Sequence, residues 1–233
     1  MINISNVSKI YKNKILALNN INLKINNGEK IALIGSNGAG KTTFLKIIAS
    51  FILPDKGKIY INNKESFKQF KEISIITSNE RSFYYRLTLE ENLIFFGMLN
   101  NITGKKLKNK VEEVLEKVNL LEQKKIKYME ASTGMKRKLN IARGLLKDSN
   151  IYLFDEPTIG IDIESKIKIL KIINEIHSEN KIILIATHDL LEIKQTKKII
   201  AMKKGKIKTI LKTSDFLKKN SNDEEKAILN LIR

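Results

Sequence analysis

A glycine-rich octapeptide, Gly35–Thr42, limits what this chain can fold into more than any other segment. It reads Gly-Ser-Asn-Gly-Ala-Gly-Lys-Thr and stands between an apolar run, Ile31–Ile34, and a helix-like run, Thr43–Ile52. Glycines let a backbone adopt positive φ and approach an anion closely, and the N-terminus of the next helix attracts negative charge. The segment predicts a strand, a phosphate-binding loop and a helix. The alternative is a glycine-rich turn whose lysine is merely solvated.

The residue types of this loop suit the phosphates of a nucleotide. The Lys41 ammonium can neutralise the β- and γ-phosphates, and the Thr42 hydroxyl can ligate Mg²⁺, which takes oxygen ligands. We therefore expect a nucleotide bound together with Mg²⁺. The candidate nucleotide-binding residues of this segment are Gly35, Ser36, Asn37, Gly38, Ala39, Gly40, Lys41, Thr42 and Thr43.

Short apolar runs along the chain indicate an α/β fold. Ile151–Phe154 and Ile182–Ala186 are continuous and apolar, as expected of parallel strands buried on both faces, and a helix is predicted between them over Ile163–His177. We expect one domain over residues 1–233 with the ligand at the carboxyl ends of a mostly parallel sheet. Its other parts are an N-terminal antiparallel β-subdomain, a helical subdomain at about 89–146, and a helical tail at about 211–233, predicted to be one amphipathic helix from residue 215.

Polar residues follow both apolar runs. Asp155 and Glu156 come directly after the first, and neighbouring side chains at a strand end point in different directions, so the two carboxylates can serve two roles. Asp155 can bind Mg²⁺ while Glu156 polarises an attacking water. His188 stands just beyond the second run and can hold that water in line. The alternatives are an acidic pair before a proline turn and a histidine at a helix cap.

A second anion site is indicated by the segment Ala131–Met135. It opens a predicted helix with basic residues in the first turn, Lys136, Arg137 and Lys138. The macrodipole favours acids at that end, so a basic first turn behind a serine cap suggests an anion. A plain Ser132 N-cap on an exposed basic helix is the alternative.

Composition narrows the class of protein. The net charge of +18 comes from lysines spread along the chain, which indicates solvated faces more than a nucleic-acid stripe, so no nucleic-acid partner is expected. Cysteine is absent, which excludes disulfides and thiol catalysis. No run approaches the roughly 18 apolar residues of a membrane span.

Taken together, these motifs resemble the ATP-binding subunit of an ABC transporter, over about residues 2–210. Gly35–Thr42 matches Walker A, Ile151–Glu156 matches Walker B with its catalytic glutamate, and Ser132–Met135 lies where that family has its signature sequence. The resemblance implies a P-loop NTPase core, a D-loop at Asp162, a switch role for His188, and stacking of Tyr11 on adenine. The signature residues Ser132, Thr133, Gly134 and Met135 would face the ATP of a second subunit.

Two positions depart from the pattern of that family. A glutamine is usual near residue 79, where this chain has Asn79, whose shorter amide could still offer an oxygen to Mg²⁺. Thr133 replaces a common glycine, as in exporter-type subunits.

The resemblance also implies partners. Two ATPase subunits, identical or paralogous, would sandwich ATP head to tail and drive a separate multi-span permease, with this chain at the cytoplasmic face of the membrane and export as the direction. Phe83, Tyr84 and Tyr85 lie where the family meets its membrane subunit, either as exposed anchors or as a buried cluster. The rival functions are an ABC-type ATPase acting on nucleic acid or ribosomes and a small-molecule P-loop kinase.

Overall fold

Two β-sheets organise the residues that the computed structural model describes, which are 1–78, 82–178, 180–221 and 223–232, with the backbone alone at 13 and 178. The smaller sheet is antiparallel and has the strand order β2-β1-β4-β5. Its strands are β1 (Ile2–Tyr11), β2 (Ile15–Ile25), β4 (Lys56–Ile61) and β5 (Lys64–Glu65). It forms the expected N-terminal antiparallel layer.

The larger sheet has the order β10-β9-β3-β8-β7-β6. It contains β3 (Lys30–Ile34), β6 (Ile73–Thr77), β7 (Ile151–Asp155), β8 (Ile182–Ala186), β9 (Lys198–Lys203) and β10 (Lys206–Lys212). All neighbours are parallel except the pair β9 and β10. Every residue of β3, β7 and β8 is buried, which explains their continuous apolar sequences. The predicted α/β fold with a mostly parallel sheet is confirmed.

Helices cover both faces of this sheet. They are α1 (Lys41–Ile48), α2 (Leu89–Leu99), α3 (Gly104–Lys117), α4 (Thr133–Leu145), α5 (Ile163–Ser178), α6 (Leu190–Lys194), α7 (Thr213–Lys219) and α8 (Glu224–Ile232). The buried residues of α3 recur at helical spacing and pack into one cluster with residues of α2, α4 and α5; they are Leu107, Val111, Val114 and Leu115. Thr88 is the N-cap of α2 and forms a capping box with Glu91. The Thr88 hydroxyl accepts from the Glu91 N–H, and the Glu91 carboxylate accepts from the Thr88 N–H.

The first helix is shorter than predicted. The apolar run suggested helix to Ile52, but α1 ends at Ile48. Ser50 adopts a left-handed φ of 59°, its N–H donates to the Ile47 carbonyl, and the Phe51 N–H donates to the Lys46 carbonyl. This is a Schellman cap, and it satisfies the last carbonyls of the helix. Beyond it, Phe51 and Leu53 are exposed, while Ile52 is partly buried against the core.

The tail from residue 215 was predicted as one helix, and this was wrong. Helices α7 and α8 are separated by a short polar break. The Asn220 amide donates to the Phe216 carbonyl at 2.7 Å, and the Asp223 carboxylate accepts from the Lys226 N–H at 3.0 Å. Short polar side chains that bond the backbone end one helix and start the next.

Candidate active site

Three neighbouring parallel strands end at the same edge of the larger sheet. β3 runs into the loop Gly35–Gly40, β7 ends at Asp155 and is followed by Glu156, and β8 is followed by Thr187 and His188. Open α/β sheets place their ligands at this edge. The fold therefore brings the phosphate-binding loop, both acids and the histidine to one place.

At two glycines of the loop, the backbone of neighbouring strands leaves no room for a Cβ. A Cβ on Gly35 would stand 2.5 Å from the Met202 carbonyl oxygen, and a Cβ on Gly40 would stand 2.5 Å from that of Ala17. Gly40 also has φ of 104° at the N-cap of α1. A Cβ on Gly38 would meet no atom of the described residues within 4 Å. The loop is thus seated on β9 and β2, and its open side is at Gly38.

Lys41 points back into the curl of the loop. Its Nζ donates to the carbonyl oxygens of Gly35 at 2.7 Å and Ser36 at 3.3 Å, and the residue is only 8% exposed. Burial lowers the pKa of Lys41, while the carboxylates of Glu156 and Asp155 oppose that shift. The ammonium is therefore held where the loop carbonyls and two acids converge.

Thr42 and Asp155 provide two neighbouring oxygen atoms that could ligate a metal ion. The Thr42 hydroxyl donates to Oδ2 of Asp155 at 2.7 Å. Asp155 is 8% exposed, and a buried carboxylate calls for a cation or hydrogen-bond donors. Mg²⁺ uses few protein ligands, prefers hydroxyl and carboxylate oxygens, and keeps several waters. The donor set of these two residues fits Mg²⁺.

Glu156 and His188 form a second pair. Nδ1 of His188 lies 3.1 Å from Oε1 of Glu156. Glu156 has a left-handed φ of 53°, which is uncommon outside glycine, and its N–H donates to the Ala186 carbonyl of β8 at 2.9 Å. This backbone turn sends the two neighbouring carboxylates apart, Asp155 toward Thr42 and Glu156 toward His188. The two adjacent carboxylates therefore have different hydrogen-bond partners.

Tyr11 lies beside the phosphate loop. Its hydroxyl is 3.4 Å from Oγ1 of Thr43, and the residue is 40% exposed at the end of β1. The Lys9 ammonium stands 6.0 Å from the centre of the ring. An exposed aromatic face next to the loop can stack on a nucleotide base.

The predicted signature segment begins α4. Ser132 is the N-cap, and its hydroxyl accepts from the Met135 N–H at 3.2 Å. Gly134 lies so close to α5 that a Cβ would be 2.8 Å from Oγ of Ser165. Asp162 begins α5 by accepting from the Ser165 N–H at 2.8 Å, and this bond lowers the pKa of Asp162. Among the described residues, the hydrogen bonds of Ser132 and Asp162 remain with α4 and α5 and do not reach the phosphate loop.

Asn79 lies outside the described residues. Its neighbour Ser78 donates its N–H to the Asp155 carbonyl at 3.0 Å. The Arg137 guanidinium donates to the carbonyl oxygens of Ser78 and, at 3.2 Å, of Ile159. Arg137 was predicted only as part of a basic helix turn. No local pattern shows that it bridges two loops, because those loops are distant in sequence.

The aromatic segment Phe83–Tyr85 is partly buried and partly exposed, so each of the two expectations holds for part of it. Phe83 is 4% exposed and stacks on Tyr128 with ring centres 4.9 Å apart. Tyr84 and Tyr85 are 49% and 60% exposed. One ring is therefore part of the core and two are available at the surface.

Comparison with known proteins gives one consistent result. Residues 18–159 match the family model described as "ABC transporter". The chain is 34% identical over 200 residues to the ABC transporter ATP-binding protein NatA of Bacillus subtilis, covering 83% of this chain and 81% of that protein. It is 33% identical over 230 residues to the energy-coupling factor transporter ATP-binding protein EcfA2 of Mesomycoplasma hyopneumoniae strain J, covering 87% and 77%.

Among solved structures, the chain resembles the ATP-binding cassette MJ0796, described as a dimer in a post-hydrolysis state bound to ADP and Pi. The TM-score is 0.81 at 26% sequence identity, covering 91% of this chain and 99% of that one.

Proposed function

Because this chain belongs to the ABC transporter family, as an ATP-binding subunit whose ATPase activity powers transport, we propose the roles of its individual residues. Residues 35–43 hold the triphosphate, with Lys41 neutralising its charge and Tyr11 stacking on adenine. Glu156 is the general base toward water, and His188 orients that water and the γ-phosphate. Thr42 and Asp155 would hold Mg²⁺, which would neutralise phosphate charge when bound, and Asn79 is a third candidate ligand.

One observation carries this proposal. The pairs Thr42 with Asp155 and Glu156 with His188 stand together at the ends of β3, β7 and β8, beside the buried Lys41. A hydroxyl, a lysine and a carboxylate suit the triphosphate and its metal, while a carboxylate bonded to an imidazole suits activation of water. Phosphoryl transfer to water needs these two sets of groups on opposite sides of one phosphate.

We propose further that two subunits associate head to tail. Ser132, Thr133, Gly134 and Met135 of one subunit would face the phosphates held by the other, with Asp162 near the contact. The first turn of α4 contains no acid, so its N-terminus favours an anion. The dimeric state of the similar cassette MJ0796 supports this arrangement.

The Glu156→Gln variant tests the base and the dimer together. It should retain ATP binding, lose turnover, and accumulate as an ATP-bound dimer, because ATP that is not hydrolysed keeps the interface closed. Light scattering with and without ATP measures the dimer, and phosphate release measures turnover. Unchanged hydrolysis would overturn the base assignment. A variant that is saturated with ATP but still monomeric would overturn the sandwich.

A separate membrane-spanning protein completes the proposed transporter. Each helix in the described part of the chain is too short or too polar to cross a membrane. The exposed rings of Tyr84 and Tyr85 provide an aromatic surface of the kind that anchors protein interfaces. We place the chain at the cytoplasmic face of the membrane through this partner.

Co-purification from native membranes tests the partner. A multi-span protein should be retained by the wild type and lost from Tyr84→Ser/Tyr85→Ser. The exposed Leu229→Ser, on α8, is a matched control that should retain it. Steeply salt-dependent retention of nucleic acid, with no membrane protein, would favour the nucleic-acid alternative.

We propose export as the direction of transport, because the sequence of Ser132–Met135 is similar to that of exporter-type subunits. Cells that carry Lys41→Ala should then accumulate the transported compound. Depletion of that compound, measured by comparing metabolites of mutant and wild-type cells, would indicate import.

A further inference from the structure

Glu192 is a carboxylate buried behind the candidate active site. It lies on α6 and is 1% exposed, four residues after His188. Oε1 of Glu192 accepts a hydrogen bond from the hydroxyl of Thr158, which is 2% exposed and two residues after Glu156. One buried hydrogen bond therefore joins the turn that follows Glu156 to the helix that follows His188.

Burial and the neighbouring acids disfavour the charge of this carboxylate, whereas the buried Lys30 ammonium of β3, which interacts with it, favours that charge. Burial raises the pKa of Glu192, and the carboxylates of Asp189 and Glu156 raise it further, while hydrogen bonds from Thr158 and Thr187 oppose the shift. Burying an acid costs free energy unless its partners compensate, and a hydrophobic residue of similar volume commonly serves stability as well. The Lys30 ammonium offsets part of this cost, and the hydrogen bond from Thr158 is a separate contact that links Glu192 to the turn after Glu156.

Hydrogen bonds and an ion pair of Asp189 hold the segment that contains His188. Asp189 begins α6 by accepting from the Leu191 N–H at 2.8 Å and the Glu192 N–H at 3.4 Å. Its other oxygen pairs with Lys166 of α5. His188 itself has a 60% exposed side chain, so its position depends on these backbone anchors more than on packing.

Glu156 depends on a similar anchor. Its left-handed backbone is an uncommon conformation that the surroundings must hold, and Thr158 is the buried polar residue of the turn that follows it. If Thr158 loses its partner, the turn can relax and the 3.1 Å approach of Glu156 to His188 lengthens.

We propose that Thr158 and Glu192 are positioning residues for ATP hydrolysis: their buried hydrogen bond holds Glu156 and His188 at their mutual distance. The inference rests on the proposed roles of Glu156 and His188. Misplacement of reacting groups by about 1 Å can lower a rate by about 100-fold, so a partial relaxation should be visible in kcat.

Removal of the Thr158 hydroxyl is the direct test. Thr158→Val, of nearly the same shape, should lower kcat by about tenfold and change the KM for ATP by less than about twofold, because the phosphate loop is untouched. Thr158→Ser keeps the donor and should recover most of kcat. The matched control is Thr196→Val, which removes another buried threonine hydroxyl, one that donates to the Ile193 carbonyl at 2.7 Å just past the C-terminal end of α6.

A double-mutant cycle tests whether the two residues act as a pair. Glu192→Gln keeps an acceptor oxygen and should retain kcat within about threefold, while Glu192→Leu should lower it as Thr158→Val does. The variant Thr158→Val/Glu192→Leu should be no slower than the slower single variant. If Glu192→Leu fails to fold, the comparison of Thr158→Val with Thr158→Ser and Thr196→Val still tests whether the Thr158 hydroxyl positions the reacting groups.

Two results would overturn the inference. One is Thr158→Val with the same kcat as Thr196→Val, and the other is a double variant whose losses multiply. Glu156→Gln measured in parallel separates this from the proposed function. If Glu156→Gln hydrolyses ATP normally, the base assignment fails; if it is inactive but Thr158→Val is normal, only the positioning role fails.

Discussion

Nδ1 of His188 lies 3.1 Å from Oε1 of Glu156, across the ends of two adjacent parallel strands. At this distance the imidazole and the carboxylate, which are 32 residues apart in the chain, form a hydrogen bond. It couples the proposed base to the residue proposed to orient water and γ-phosphate. The roles of the two residues can therefore be separated by changing each alone.

His188→Ala should lower kcat by at least about 100-fold and leave ATP affinity within about threefold, because the imidazole acts on the reacting groups and the loop binds the phosphates. The second histidine of the chain is the control. Nε2 of His177, at the end of α5, lies 2.9 Å from the Gly28 carbonyl oxygen, away from the site. His177→Ala should keep full turnover in a phosphate-release assay; equal losses in both variants would contradict the role of His188.

Lys41→Ala should weaken ATP binding by at least about tenfold, since a charge-assisted contact to phosphate contributes about 1.5–3 kcal/mol. Calorimetric titration with a non-hydrolysable ATP analogue measures the loss. Lys46→Ala, five residues further along α1, removes the same charge without touching the loop and should bind as the wild type does. Retained affinity in Lys41→Ala would refute the phosphate-binding interpretation.

Thr42→Val should raise the Mg²⁺ concentration for half-maximal turnover by about tenfold, because it removes one of two oxygen donors that lie 2.7 Å apart. Binding of ATP in EDTA should change little. Thr42→Ser keeps the hydroxyl and should restore most of the Mg²⁺ response. A Mg²⁺ titration identical in wild type and Thr42→Val would exclude this residue as a ligand.

Gly40→Ala should destabilise the protein more than Gly38→Ala. Both glycines have positive φ, 104° and 79°, where an alanine costs about 1–2 kcal/mol. Only at Gly40 would the new Cβ also stand 2.5 Å from the Ala17 carbonyl oxygen. Urea unfolding should show a loss above about 2 kcal/mol at Gly40 and a smaller one at Gly38. Equal losses would mean that the contact with β2 does not constrain the loop.

Lys30 should make stability rise with pH in the alkaline range. It is 1% exposed, and burial lowers its pKa from 10.5 to about 8, although the Glu192 carboxylate opposes that shift. Between these values the unfolded chain binds more protons than the folded protein, so the free energy of unfolding increases with pH.

From pH 8 to pH 10 this contribution amounts to about 2 kcal/mol. The difference in unfolding free energy between wild type and Lys30→Met should shift by that amount in favour of the wild type. A difference that is constant with pH would show that Lys30 titrates normally in the folded protein.

Local sequence was sufficient for the motifs and for most of the fold. The loop 35–42 places all of its chemistry within eight consecutive residues, and strands buried on both faces have apolar sequences that periodicity reveals. Neighbouring residues therefore specified the strands β3, β7 and β8, the acids at the end of β7 and the histidine after β8. The ends of α1 and the break between α7 and α8 were missed, because caps depend on single backbone conformations and side-chain bonds that a periodic pattern does not contain.

Folding added the relationships between distant segments. The strand order brought β3, β8 and β7 side by side, and with them Thr42 to Asp155 and Glu156 to His188. It also paired Thr158 with Glu192. No local pattern encodes these pairs, since each residue alone fits a turn, a cap or an ordinary helix. Their roles depend on distances of about 3 Å across the sheet edge, which only the packing of the strands and the helices behind them can set.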